Sequence, residues 1–164
     1  TNLDSYSVCG GEVGVQARWN NGFSARFTYA YTKEQLAKDK DGNTINNQYI
    51  PAREHAFNAR MDYDHQFTKN YGLNIGLSGR YLSGVENVEY KNYYNVSEGT
   101  LTVSYPAYTI WKLSLVQRIG KAVKVNAALD NLFGYKPKYY YLNSPITDGV
   151  NLQVGLSVDI DKLF

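Results

Sequence analysis

From Tyr71 to Leu82 the chain alternates without a break. Tyr71, Leu73, Ile75, Leu77, Gly79 and Tyr81 stand on one parity, and Gly72, Asn74, Gly76, Ser78 and Arg80 on the other. A period of two means an extended strand with one apolar and one polar face. The pattern recurs. Val13, Val15, Ala17 and Trp19 alternate with Glu12, Gly14, Gln16 and Arg18; Phe23, Ala25, Phe27, Tyr29 and Tyr31 with Ser24, Arg26, Thr28 and Thr32. Phe57, Ala59, Met61 and Tyr63 alternate with Asn58, Arg60, Asp62 and Asp64; Trp111, Leu113 and Leu115 with Lys112 and Ser114. Val123, Val125, Ala127 and Leu129, and then Val150 to Ile160 in steps of two, complete the set. The alternation predicts strands near residues 8–19, 23–32, 53–64, 71–82, 107–118, 122–132 and 150–161.

Each of these runs is about nine to eleven residues, the length a tilted strand needs to cross a bilayer, whereas ordinary strands average about five or six. The connections alternate short and long. Asn20-Asn21-Gly22, the stretch from His65 to Asn70, and Gly120-Lys121 read as tight turns; 33–51, 83–106 and 134–149 read as long loops. Outer-membrane barrels have this asymmetry, with short turns on the periplasmic side and long loops outside. The 16 Tyr, against 6 Phe and 2 Trp, suit strands and the membrane–water boundary. Trp19, Phe23, Tyr63, Tyr71 and Phe164 fall toward the short-turn end, and Tyr29, Tyr31, Tyr81, Tyr108 and Trp111 toward the long-loop end. A tyrosine-rich soluble sandwich is the competing reading. The expected fold is therefore all-β: a transmembrane, antiparallel, up-and-down β-barrel wall.

Composition removes other classes. No stretch approaches the roughly 20 apolar residues of a spanning helix, and mean hydropathy is -0.45. A formal charge of +2 gives no electrostatic footprint for nucleic acid. Cys9 has no second cysteine to pair with. The polar start Thr1-Asn2-Leu3-Asp4 is not a secretory leader, so a leader was removed or the chain begins inside a longer protein.

An odd number of strands cannot close a single-chain bacterial barrel, and an open sheet edge is not tolerated in lipid. Either other strands complete the barrel, or one strand is missed and this is a small eight-stranded barrel with a structural or adhesion role. A strand opening at Pro106-Ala107-Tyr108-Thr109 is followed by a hairpin to Leu129-Asp130-Asn131-Leu132-Phe133-Gly134, and a final strand runs to Phe164. This resembles the closing segment of TonB-dependent receptors. Lys162 departs from the pattern, standing where the assembly signal prefers an apolar residue.

The resemblance implies a barrel of about 22 strands with a plug in its lumen, of which this chain would form the last seven. It further implies the outer membrane of a Gram-negative bacterium and active uptake of a scarce nutrient complex. Partners would be membrane lipid, the rest of the barrel and its plug, and the TonB complex acting through the plug. A surface lipoprotein is a further candidate partner. No cofactor, nucleic-acid partner or enzymatic activity is expected. Phe164 would serve as the assembly signal.

Arg18, Arg26, Arg60, Arg80, Lys112 and Arg118 share the polar parity with Glu12, Asp62, Asp64, Asp130 and Asp159. They would line the lumen and hold the plug through charge-assisted hydrogen bonds, or else satisfy one another. Tyr90, Tyr93 and Tyr94 in one loop, with Tyr139, Tyr140 and Tyr141 in another, are the candidate ligand-binding set. Aromatic loop residues grip a flat ligand at little entropic cost; haem, a corrinoid or an aromatic siderophore would suit. The alternative is that they pack the loops together. The stretch 38–43, Lys-Asp-Lys-Asp-Gly-Asn, loosely resembles a calcium loop but reads better as a turn. His55, near the outer rim, has an axial haem ligand as its sharp reading and a rim-facing polar residue as its ordinary one. No metal site and no catalytic constellation is expected.

Overall fold

The computed structural model describes residues 7–35, 52–92, 94–137, 147 and 149–162. Nine strands follow one another: β1 (Ser7–Arg18), β2 (Phe23–Gln35), β3 (His55–Thr68), β4 (Tyr71–Leu82), β5 (Val85–Tyr90), β6 (Thr100–Tyr105), β7 (Tyr108–Ile119), β8 (Val123–Asp130) and β9 (Asn151–Val158). Seven form one antiparallel sheet in the order β1-β2-β3-β4-β7-β8-β9; β5 and β6 form a separate hairpin. Within this sheet β1 and β9 are the two edges, so the described residues form a curved wall and not a closed barrel.

The register carries one parity across all seven strands. Phe27 opposes Ala59, Ala59 opposes Gly79, and Gly79 opposes Trp111; further down, Tyr63 opposes Ile75, Ile75 opposes Leu115, and Leu115 opposes Ala127. Ala127 in turn opposes Val154. A slip of one residue anywhere would move a strand's apolar set to the opposite face. That apolar face is left uncovered by the described residues. Leu152, Val154 and Leu156 are 65%, 71% and 68% exposed, and the buried hydrophobic residues among those described are three alanines and Tyr105. A soluble sandwich would bury this face against a second sheet; among the described residues no second sheet packs on it.

The short turns join the sheet at one end. Gly22, at φ 89°, closes the β1–β2 turn, and its carbonyl accepts from Asp64 N–H at 2.9 Å. The Asn70 carbonyl accepts from Gly120 N–H, and Ala122 from Asp159 N–H, so each turn is tied to the next strand.

Two expectations are corrected. β3 runs to Thr68, which shortens the expected turn to Lys69-Asn70; a register shift between Gln66 and Thr68 lets the extra residues pair. The stretch 83–106 is not an irregular loop: β5 and β6 pair over six residues each, from Val85 opposite Tyr105 to Tyr90 opposite Thr100. These strands are too short to display the alternation that marks the wall. Their turn is set by a single 3-10 turn at Val96–Glu98 and by Gly99 at φ 84°.

Candidate functional site

All six cations expected on the lumen side lie on the polar face, and the depressions on the sheet are lined by that same face, which is therefore concave. Three of the cations have acidic partners. Arg60 grips Asp62, two residues along the same strand, through Nε to Oδ2 at 2.7 Å and Nη2 to Oδ1 at 3.0 Å. Lys112 Nζ lies 2.9 Å from Asp130. Arg118 reaches across β4 to Asp64, donating from Nη2 at 2.7 Å and Nη1 at 3.1 Å.

That last pair depends on glycine. A Cβ placed on Gly72 would come within 2.8 Å of Arg118 Nε and Nη2, so the bare backbone opens the channel through which the arginine crosses. Asn74 Nδ2 adds a hydrogen bond to Asp64 at 3.2 Å. Arg18, Arg26 and Arg80 have no ion pair among the described residues.

A second cluster sits at the outer rim. Arg53 donates from Nη1 to the Ser83 carbonyl and, at 2.9 Å, to the Pro106 carbonyl. Those two carbonyls are the feet of the β5–β6 hairpin. The guanidinium carbon lies 4.8 Å from the centre of the Tyr108 ring, and Tyr108 stacks on Tyr135 at 5.3 Å and 22°. Burial holds the Tyr135 phenol above the usual tyrosine range, partly opposed by the charge of Arg53.

Tyr135 is fixed from below by Asn131, which is 3% exposed and adopts φ 53°. Its Oδ1 accepts from Tyr135 N–H at 2.9 Å, while Nδ2 donates to the carbonyls of Tyr135 and Gly149 and to Thr147 Oγ1 at 2.8, 3.0 and 2.9 Å. Asparagine tolerates the left-handed conformation better than most residues. Here the side chain then gathers both ends of the last loop.

Sequence reasoning missed Arg53, which no motif marks. Asn131 stood within the quoted Leu129–Gly134 motif. Tyr108, expected in the outer aromatic belt, is corrected: it opposes Leu82 on the concave face, because its even number shares the parity of Lys112.

Of the candidate ligand tyrosines, Tyr90 ends β5, and Tyr94 is 101% exposed at the tip of the hairpin. Tyr93, Tyr139, Tyr140, Tyr141, Phe164 and the stretch 38–43 lie outside the described residues. His55 is on the apolar face, where its Nδ1 is 2.8 Å from the Tyr29 hydroxyl and its ring packs on Tyr31. That position turns it away from the concave wall. His65 lies on the same apolar face between Tyr63 and Phe67. Cys9 is exposed, opposite Lys33. Among the described residues no three His, Cys, Asp or Glu side chains are gathered as a metal site.

Comparison with known proteins places this geometry. Residues 1–132 match the family described as TonB dependent receptor-like, beta-barrel. The fold superposes on FpvA of P. aeruginosa in complex with a heterologous pyoverdine and iron, at a TM-score of 0.68 and 15% identity, covering 93% of this chain and 19% of that one. The FpvAI–pyocin S2 complex gives a TM-score of 0.68 at 14% identity with the same coverage. The FrpB iron transporter from Neisseria meningitidis gives 0.63 at 18%, covering 93% of this chain and 23% of that one. The chain thus spans about a fifth of the length of these structures. No curated protein sequence matched.

Proposed function

This chain belongs to the TonB dependent receptor-like β-barrel family, and from that premise we infer that it is a section of barrel wall in an outer-membrane receptor for TonB-energised uptake. The observation that carries the reading is the division of one continuous sheet into an uncovered apolar face and a concave face of ion pairs. Lipid solvates the first. The second would border a plug and the path of the solute.

In this reading the apolar face crosses the outer membrane of a Gram-negative bacterium. The polar cations Arg18, Arg26, Arg60, Arg80, Lys112 and Arg118 face the lumen. The long-loop end, with the β5–β6 hairpin, meets a scarce nutrient complex such as a siderophore, haem or corrinoid. The names of FpvA in complex with pyoverdine and of the FrpB iron transporter make ferric complexes the first to test. The TonB complex and the rest of the barrel are the implied partners, and the activity is transport.

The test is uptake by cells whose only copy of the receptor lacks residues 90–94. Ferric siderophores, haem and cobalamin would be supplied in turn, with and without a functional TonB system. TonB-dependent uptake of one of them, reduced by the deletion while the barrel still assembles, is the expected result. Uptake of none by the unaltered receptor would defeat the reading, and uptake unchanged by the deletion would remove the hairpin tip from the binding site.

A further inference from the structure

Arg26 on β2 stands directly opposite Arg60 on β3. Like charges at opposed positions of an antiparallel pair repel, and each needs an anion to hold it there. Arg60 has Asp62. Arg26 has no acidic partner among the described residues. One rung outward and two strands across, about 12 Å away by strand spacing and rise, Arg80 is in the same condition, opposed by Asn58 and Ile110.

Both arginines line one depression of about 520 Å3, with Arg60 and Lys112 between and beside them. Glu12 is the only acidic side chain of that lining and forms no ion pair among the described residues. Hydroxyls and an amide from Thr28, Ser78 and Asn58 supply further hydrogen-bonding groups. Arg18, also without an ion pair among the described residues, lies nearer the short turns, in depressions lined by Asp62 and Asp64, the first of which Arg26 borders as well.

We propose that Arg26 and Arg80 form a carboxylate-binding site on the concave wall, receiving one or more carboxylates from outside this sheet. Planar guanidinium groups match carboxylates in two-point geometry, and a wall with limited access to water strengthens the pairing. Two sources offer this chemistry: acidic side chains from another segment of the same receptor, and a carboxylate-bearing solute on its way through. The inference rests on the reading of this face as lumenal.

The experiment uses the intact receptor in bilayer nanodiscs, comparing wild type with R26Q/R80Q and with R18Q as the control for loss of a wall cation. Citrate binding is measured by calorimetry at low salt, and hydrogen exchange is measured across the receptor. Citrate binding that falls at least tenfold in R26Q/R80Q and is unchanged in R18Q places the carboxylate on a solute. Absence of citrate binding by wild type, with faster exchange of an acidic segment only in R26Q/R80Q, places it on the receptor itself.

Neither response, in receptors whose heat-modifiable mobility shows assembly, overturns the proposal. If R26Q/R80Q does not assemble, R26K/R80K keeps the charge but loses two-point geometry, and the same two readouts should fall severalfold. Uptake is scored separately, so a receptor that transports yet shows neither response refutes this site and leaves the proposed function standing.

Discussion

The indole of Trp111 lies against the bare backbone of Gly79, directly across the β4–β7 pairing. A Cβ built on Gly79 would fall 2.5 Å from Trp111 Cδ2 and Cε3. Ala59 continues the small row on β3, between Phe27 on β2 and Gly79 on β4. The contact is a packing choice that alternation alone does not reveal.

Gly79→Ala should force the ring away and cost about 1–3 kcal/mol, as overpacking does. Urea unfolding in lipid vesicles would measure it. Replacing Trp111 by Leu should relieve most of the loss, a coupling that a double-mutant cycle reads directly. Equal losses with and without the indole would remove the contact as the cause.

Gly72 makes the opposite case on the concave face. There the added methyl meets the ends of Arg118 and Gln66, which can swing aside. Gly72→Ala should cost less than about 1 kcal/mol, the scale of a partly exposed ion pair. The Arg118–Asp64 pair should nevertheless be lost. A Gly72 penalty matching that of Gly79 would contradict this picture.

Leu77 and Val125 lie mid-strand on the apolar face, opposed by Leu113 and Gln117. Leu77→Arg or Val125→Arg should cost about 2–4 kcal/mol and impair insertion. Arg80→Ala, on the other face, should assemble normally. If the two kinds of change were equally damaging in a heat-modifiability assay, the assignment of faces would be wrong.

Removing Arg53 should free the hairpin feet at Ser83 and Pro106 without disturbing the wall. Arg53→Ala is expected to accelerate amide exchange through β5 and β6 while leaving β3 and β4 protected. Asn131→Ala should do the same at Tyr135, whose N–H loses its acceptor. Protection unchanged in either variant would show that the rim does not depend on these side chains.

Tyr135 gives a pH prediction. Its phenol is held above the ordinary value of 10.0, so the neutral form is favoured by folding. The stabilisation is fully present below the ordinary value and is lost as pH rises from there through the raised one. The Tyr108–Tyr135 stack should therefore be insensitive to pH through the neutral range. In a tyrosinate absorbance titration, Tyr135→Phe should delete a component from the high-pH end. Loss of a component below pH 10 would reverse the sign of the shift.

The alternation of Val123, Val125, Ala127 and Leu129 was enough to place β8 and to say which parity is apolar. Long strands write their two environments into the sequence at a period of two. The hairpin of β5 and β6 was not legible, because six residues offer too few repeats to show a period. Tyr108 was misplaced for a related reason: an aromatic ring near a strand end fits either a membrane boundary or a lumenal rim, and only register decides.

By itself the sequence determined the seven strands of the wall, the two faces, the alternation of short and long connections, and the family likeness near Asn131. All of these follow from local period and local motif. Which cations are neutralised, and which are left with a like charge opposite, was decided by tertiary structure alone. Asp62 and Arg60 are neighbours along one strand, but Arg118 meets Asp64 only because three strands pair in one register and Gly72 clears the way. The same is true of Arg53 between the hairpin feet, some 30 and 53 residues away. Electrostatic and hydrogen-bond partners are set by distance in space, and a periodic pattern gives no measure of it across strands.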